Sequence, residues 1–237
     1  VINFQVGEDL PPPFFMSTNK SLIVGSRSGI GLALKNKLNS NNEDVIHIYR
    51  NSEEDDILDL AKEFKDEKIK NIYFCLGTIT LKSVLSTTSN QLIEDYKVNL
   101  VYAHEIIKLF LRELNKNDGS VIFYSSVAAK MGLSFHSSIA SSKSAIEGYV
   151  KSLSAELAGK TRVNAIRLSL LDTPLSKFIF DNDKSREISL NMQPTNSFIN
   201  MEDVVSMSLE IAGNKSITGQ IITIDGGMSS MFKKQKL

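Results

Sequence analysis

The chain has a single cysteine, Cys75, among its 237 residues. That excludes an internal disulfide framework and fits a reducing compartment, so the expected location is cytoplasmic. Charge of one sign is missing too: 27 basic side chains balance 27 acidic ones. Such a balance leaves no basic footprint for nucleic acid and no cationic block for a membrane surface. No apolar run approaches the roughly 20 residues that a bilayer crossing requires. Proline is scarce, and three of the five prolines stand together at Pro11-Pro12-Pro13. The stretch 1–15 around them has no periodic apolar positions, and it lacks the basic front and apolar centre of a secretory signal. Residues 1–18 are therefore expected to be a leader, an expression remnant or an arm packed on a neighbour. The remaining length suits one large α/β domain better than two small ones.

The strongest local pattern is Val24-Gly25-Ser26-Arg27-Ser28-Gly29-Ile30-Gly31. A β-prone run, Ser21-Leu22-Ile23-Val24, leads into it and a helix-prone run begins at Leu32. Three glycines at this spacing let the backbone turn tightly, approach a pyrophosphate and pack the new helix on a sheet. The free N–H groups at the helix start then face an anion. The plainer alternative is a βα turn with no ligand, since any tight turn uses glycine.

Downstream, β-prone segments alternate with helical ones. Strands are expected at 44–49, 71–77, 120–124, 162–168 and 220–224, with a brief extra strand at 57–60. Helices are expected at 60–68, 91–114, 138–157 and 201–212. Residues 172–199 are polar and irregular and read as a substrate lid. Residues 232–237 read as a solvated tail, and Asp225-Gly226-Gly227 as a turn. Alternation of this kind predicts a doubly wound parallel sheet with right-handed crossovers and helices on both faces.

Over residues 20–229 the chain resembles the short-chain dehydrogenase/reductase family. The resemblance rests on Gly25-x-x-x-Gly29-Ile30-Gly31, Val98-Asn99-Leu100, Ser125-Ser126-Val127-Ala128, Ser142-Lys143-Ser144-Ala145, Arg162-Val163-Asn164-Ala165-Ile166, Thr173-Pro174 and Ile224-Asp225-Gly226-Gly227, in that order. It implies a Rossmann-like single domain, a nicotinamide dinucleotide and a small-molecule substrate. Gly25, Arg27, Ser28, Gly29, Ile30, Gly31, Gly77 and Thr173 would then hold the cofactor. Ser126 would orient a carbonyl, Lys143 would bind the nicotinamide ribose, and Asn99 would anchor a proton-relaying water. Asp59-Leu60 resembles the family's aspartate-apolar pair that contacts adenine.

In the family a tyrosine four residues before the lysine is the general acid/base, and here that position is Ile139. The segment around the nicotinamide also differs, with Phe74-Cys75-Leu76-Gly77 for Asn-Asn-Ala-Gly, Leu168-Ser169 for Pro-Gly, and Val24 for threonine. His136, seven residues before Lys143, stands where the bacterial enoyl-carrier-protein reductase branch has its tyrosine. It is a candidate proton donor, the alternative being an ordinary loop histidine. Arg50 ends the second strand where an acidic residue would favour a free ribose 2′-hydroxyl. With Arg27 it can grip a 2′-phosphate, which favours NADP(H), with NAD(H) as the alternative. Two readings follow: an NADP(H)-dependent reductase of a carbonyl or activated double bond, or a redox-inactive nucleotide-binding homologue serving as sensor or assembly partner. The resemblance implies that the two long helices, 91–114 and 138–157, pair across two-fold axes into a homodimer or homotetramer, and apolar Ile106, Ile107, Leu109 and Phe110 wrap more of the first helix than one buried face requires.

Overall fold

Unbroken apolar runs become strands buried on both sides. In the computed structural model, which describes residues 19–50 and 56–232, these are β1 (Lys20–Val24), β2 (Val45–Ile48), β3 (Ile69–Phe74), β4 (Ser120–Ser126), β5 (Arg162–Leu168) and β6 (Ile221–Ile224). All pair parallel, in the order β2-β1-β3-β4-β5-β6. Alternate residues of one strand serve opposite faces. Leu22 and Val24 point into a core shared with α2 (Ile57–Lys62), α4 (Tyr102–Lys116) and α5 (Ser137–Glu156). Ile23 points into a second core shared with α1 (Gly29–Ser40) and α8 (Met201–Gly213). This is the expected α/β doubly wound sheet in a single domain. The chain turns from β1 outward to β2 and then returns to β3 on the other side, so a crevice opens at the carboxyl ends of β1 and β3.

Three of the expected elements need correction. Residues 57–60 are not a strand but the start of α2. Asp56 caps this helix by accepting from the Leu58 N–H, and Ile57 and Ala61, one helical turn apart, are both fully buried. The apolar spacing there serves a period of 3.6, not 2, and β2 is left as the sheet's edge. The helix expected at 60–68 accordingly ends by Lys62. The helix expected at 91–114 runs as α3 (Ser89–Tyr96), a π-helical turn (Lys97–Val101) and α4. Finally, Ile106, Ile107 and Phe110 are buried in the chain's own core and Leu109 packs partly against it. They are used up internally and lend no support to a subunit contact.

The region expected to be a lid contains α6 (Lys177–Phe180) and α7 (Asp183–Asn191), joined to the following loop by the packed rings of Phe180 and Phe198, 4.8 Å apart. The expected turn at Asp225 is present: its carboxylate accepts from the N–H groups of Gly227 and Ser229 at 2.9 and 2.8 Å. The expected leader 1–18, and the tail beyond Phe232, lie outside the described residues. Among the described residues no helix is long and apolar enough to cross a membrane.

Candidate active site

A cleft of about 600 Å³ opens over the carboxyl ends of β1, β2 and β3. Gly25, Arg27, Ser28, Gly29 and Ile30 line it from the first turn, Tyr49 and Arg50 from the end of β2, Cys75, Leu76 and Gly77 from the end of β3, and Thr173, Pro174 and Leu175 from the segment after β5. The glycines make this shape. Gly25 sits at φ +88°, and a Cβ there would stand 2.8 Å from the Leu76 nitrogen. A Cβ on Gly31 would overlap the Gly25 carbonyl oxygen. Backbone therefore touches backbone where side chains cannot fit. Ser28, the N-cap of α1, makes no side-chain cap, and no acidic residue stands in the first turn. The first N–H groups of α1 thus keep their capacity for an anion. A second cavity, about 200 Å³, lies at the opposite ends of the strands. There Arg162 is occupied with the terminal carbonyls of α8 at 2.5–2.8 Å, so this cavity has no comparable cradle.

Arg27 and Arg50 meet at the mouth of the cleft, where an Arg27 Nη donates to the Arg50 carbonyl at 3.4 Å. The acidic neighbours Glu53, Glu54 and Asp55 lie outside the described residues. Asp59 and Leu60 need correction as cofactor residues. They sit inside α2 rather than at a strand end, Asp59 is 73% exposed and paired with Lys62, and neither lines the cleft. Without a strand at 57–60, nothing carries them to the sheet's carboxyl edge.

Behind Gly77 the structure gathers Asn99 and Lys143. A Cβ on Gly77 would lie 3.1 Å from Asn99 Oδ1 and 3.3 Å from Lys143 Nζ, so the bare glycine leaves an open point flanked by both groups. The π-helical turn carries Asn99. Its Nδ2 donates to the Asp95 carbonyl and to Thr78 Oγ1 at 2.8 and 3.0 Å, while its Oδ1 is buried and without a partner. Lys143, 9% exposed, donates to the Tyr124 carbonyl at 2.9 Å. Burial is the chief cause that draws its pKa down to about 8. Burial also pushes the Cys75 thiol well up, which keeps it neutral.

The two adjacent serines separate by the alternation of β4. Ser125 is buried and donates to Glu147 at 2.7 Å. Ser126 is half-buried and accepts from the Ala128 N–H at 3.2 Å, so its hydroxyl proton remains available. The turn it caps (Val127–Ala129) packs against α5, where Ser144 donates to the Ala129 carbonyl. His136 precedes α5, with its Nδ1 2.6 Å from the Ser134 carbonyl. It does not line the cleft, and seven helical residues put it about 10 Å along the axis from Lys143. Ile139 is 3% exposed and fills the position one turn before Lys143. Tyr149 faces away from the site; its hydroxyl meets His104 at 2.9 Å, and burial pushes its pKa up to about 12. Tyr124 has its hydroxyl on Ser208 in the opposite core.

The sequence reading missed Asp95, which is buried beside this site. A carboxylate four residues before Asn99, and so on the same helix face, was the available signal. The fit to a dinucleotide rests on the glycine cradle, the uncapped α1 N-terminus and the unpartnered Asn99 oxygen.

A family model described as Enoyl-(Acyl carrier protein) reductase matches residues 65–229. The 3-oxoacyl-[acyl-carrier-protein] reductase of Thermotoga maritima is 34% identical over 118 residues, which are 48% of this chain and 47% of that one. A 1,2-dihydroxy-1,2-dihydronaphthalene dehydrogenase of Pseudomonas sp. strain C18 is 30% identical over 87% of this chain and 95% of its own length. Among solved structures, a short chain dehydrogenase family protein from Francisella tularensis subsp. tularensis SCHU S4 superposes with a TM-score of 0.82, at 20% identity, covering 91% of this chain and all of that one. A small-chain dehydrogenase in complex with NADPH gives a TM-score of 0.81 at 24% identity, covering 90% and 99% of the two chains.

Proposed function

Because the chain belongs to the short-chain dehydrogenase/reductase family, we propose that it is an NADP(H)-dependent oxidoreductase that reduces a carbonyl or activated double bond of a small molecule. The observation that carries this reading is that Arg27 and Arg50 both line a glycine cradle that ends on an open helix N-terminus. Backbone N–H groups of residues 29–31 would take the pyrophosphate, and the guanidinium groups a 2′-phosphate. Thr173 would close over the first turn of α1, since a Cβ on Gly29 would touch its methyl at 3.4 Å.

A bound nicotinamide supplies the hydride. The chain's own residues supply the rest. Ser126 donates its free hydroxyl proton to the substrate oxygen and orients it. Lys143 holds the ribose, and with a pKa of about 8 it is also matched to proton donation near neutral pH. Its place behind Gly77 makes it a better-positioned donor than His136. Asn99 Oδ1 and Lys143 Nζ can share a water at the open point beside Gly77. The lid, residues 172–199, excludes bulk water.

The test is NADPH oxidation against ketone, quinone, 3-oxoacyl and enoyl substrates; the last two are included because relatives and the matched family model bear those names. Turnover abolished by Lys143→Met and retained by His136→Phe is the expected result. A second reading, in which the chain binds the dinucleotide without turning it over, draws on buried Ile139. NADPH binding with no oxidation across the panel, and activity gained by Ile139→Tyr, would favour it.

A further inference from the structure

The segment after β5 is fastened at two buried polar side chains. The first is Ser176, whose hydroxyl donates to the Leu171 carbonyl at 2.5 Å and accepts from the Thr173 N–H at 3.1 Å. The second is Gln193, whose Oε1 accepts from Ser169 Oγ at 3.4 Å while its Nε2 approaches Met228 Sδ at 3.7 Å. Gly226, at φ +59°, makes room for this anchor, because a Cβ there would stand 3.1 Å from Gln193 Oε1. Between the anchors none of residues 177–192 is buried, although they form α6 and α7.

The two anchors stand on either side of the site. Thr173 and Leu175, next to the first, line the cofactor cleft. Ser169, which meets the second, follows Leu168, the residue in register with Ser126 on the neighbouring strand. Residues 177–192 therefore form a strap from the cleft to the strand beside Ser126.

The strap leaves apolar side chains uncovered. Leu175 and Phe178, three residues apart at the turn into α6, are 46% and 53% exposed. Ile188 and Met192, a helical turn apart at the end of α7, are 55% and 38% exposed. Phe180, by contrast, has the Phe198 ring against it. A lone exposed apolar residue needs no explanation. Two such pairs, one starting at the cleft and the other ending against Gln193, mark a surface that a ligand covers. An ionic ligand is disfavoured, since Lys177, Lys184 and Arg186 are balanced by Asp181, Asp183 and Glu187, and Lys177 is paired with Asp181 at 2.7 Å.

We propose that the occupant is the substrate: it has an apolar body, alkyl or aromatic, that lies against the strap while its reacting group lies at Ser126. This substrate class rests on the function proposed above, and the continuity of Leu175 with the cleft is what assigns the surface to a substrate.

The probes are 2-alkanones from butanone to 2-decanone, added to the full chain with and without NADP+, with hydrogen exchange of residues 177–192 as the readout. Bound ketone is expected to slow exchange there, and the half-saturating concentration is expected to fall about threefold for each added methylene. Phe178→Ser combined with Ile188→Ser changes two exposed positions and leaves the core intact; it is expected to flatten that dependence. The proposal is overturned if no ketone slows exchange, if half-saturation is indifferent to chain length, or if the double variant keeps the wild-type slope. Exchange that slows with protein concentration instead of ketone would assign the surface to a second copy and overturn it too. NADPH oxidation separates the two ideas. Ketones that protect the strap without being reduced sink the reductase reading and leave the apolar site, whereas reduction at an efficiency independent of chain length sinks only the substrate class.

Discussion

Lys143 carries a charge into a site where burial opposes it. Its pKa of about 8 in the folded chain, against 10.5 for an ordinary lysine, means that the unfolded chain binds more protons between those two values. Stability contributed by this group therefore rises with pH across that window, and its full cost is present below pH 8. Replacing Lys143 by Met is expected to stabilise the protein at pH 7 by about 2 kcal/mol, after allowance for the lost bond to the Tyr124 carbonyl. That gain should vanish as pH climbs from 8 toward 10.5. Urea unfolding of both proteins at several pH values checks this; a gap that stays constant with pH contradicts it. A residue that destabilises the fold where it is charged has to be kept for some other use, and the function proposed above would give it one. Lys143, Ser126 and Asn99 were legible in the sequence because each stands in a recognisable string. Asp95 was not, because its partners Thr78, Thr80 and Ser138 come from segments that no sequence pattern joins.

At the scale of the element, α5 sets the position of the lysine. One turn beyond Lys143, Glu147 points at the sheet and receives both Nε and Nη2 of Arg167 at 2.8 and 2.6 Å, together with the Ser125 hydroxyl. Arg167 reaches on to Thr223 of β6 at 3.1 Å. One carboxylate thus binds α5 to β4 and β5, and through Arg167 to β6. Glu147→Ala strands a largely buried guanidinium and is expected to cost about 3 kcal/mol, with a matched double change of Glu147 and Arg167 to Leu recovering most of it. Chemical denaturation of the three variants measures this. A loss below about 1 kcal/mol for Glu147→Ala would show that the pair does not fix α5. Most elements could be read from apolar periodicity, because strands buried on both faces and helices buried on one leave distinct patterns. Residues 57–60 were misread since Ile-Leu-Asp-Leu suits either period; the cap from Asp56 and the burial of Ile57 and Ala61 on one face decided for helix. The π-helical turn at Lys97–Val101 was invisible for a related reason: the apolar face continues through it.

For the molecule as a whole, ligand binding should appear as stability. A dinucleotide that binds the folded chain alone adds about 2.7 kcal/mol at a hundred times its Kd. NADPH is expected to raise the melting temperature more than NADH at equal concentration, and Arg27→Ala with Arg50→Ala should erase that difference while sparing the smaller NADH effect. Thermal melts with and without each nucleotide decide it. Equal shifts from both nucleotides would remove the case for a 2′-phosphate at the two arginines.

The parallel sheet, the glycine cradle at its switch point and the family were determined by the sequence alone, since strand periodicity, turn chemistry and short ordered strings are local and survive reading along one dimension. Tertiary structure decided which of the marked residues meet. It gathered Lys143 and Asn99 behind Gly77, moved Asp59 and Leu60 out of the cleft, and placed an unmarked carboxylate, Asp95, in the hydrogen-bond network that holds Asn99. The reason is physical: the charge state and reach of a buried side chain depend on what lies across the core from it, and those neighbours are distant in sequence.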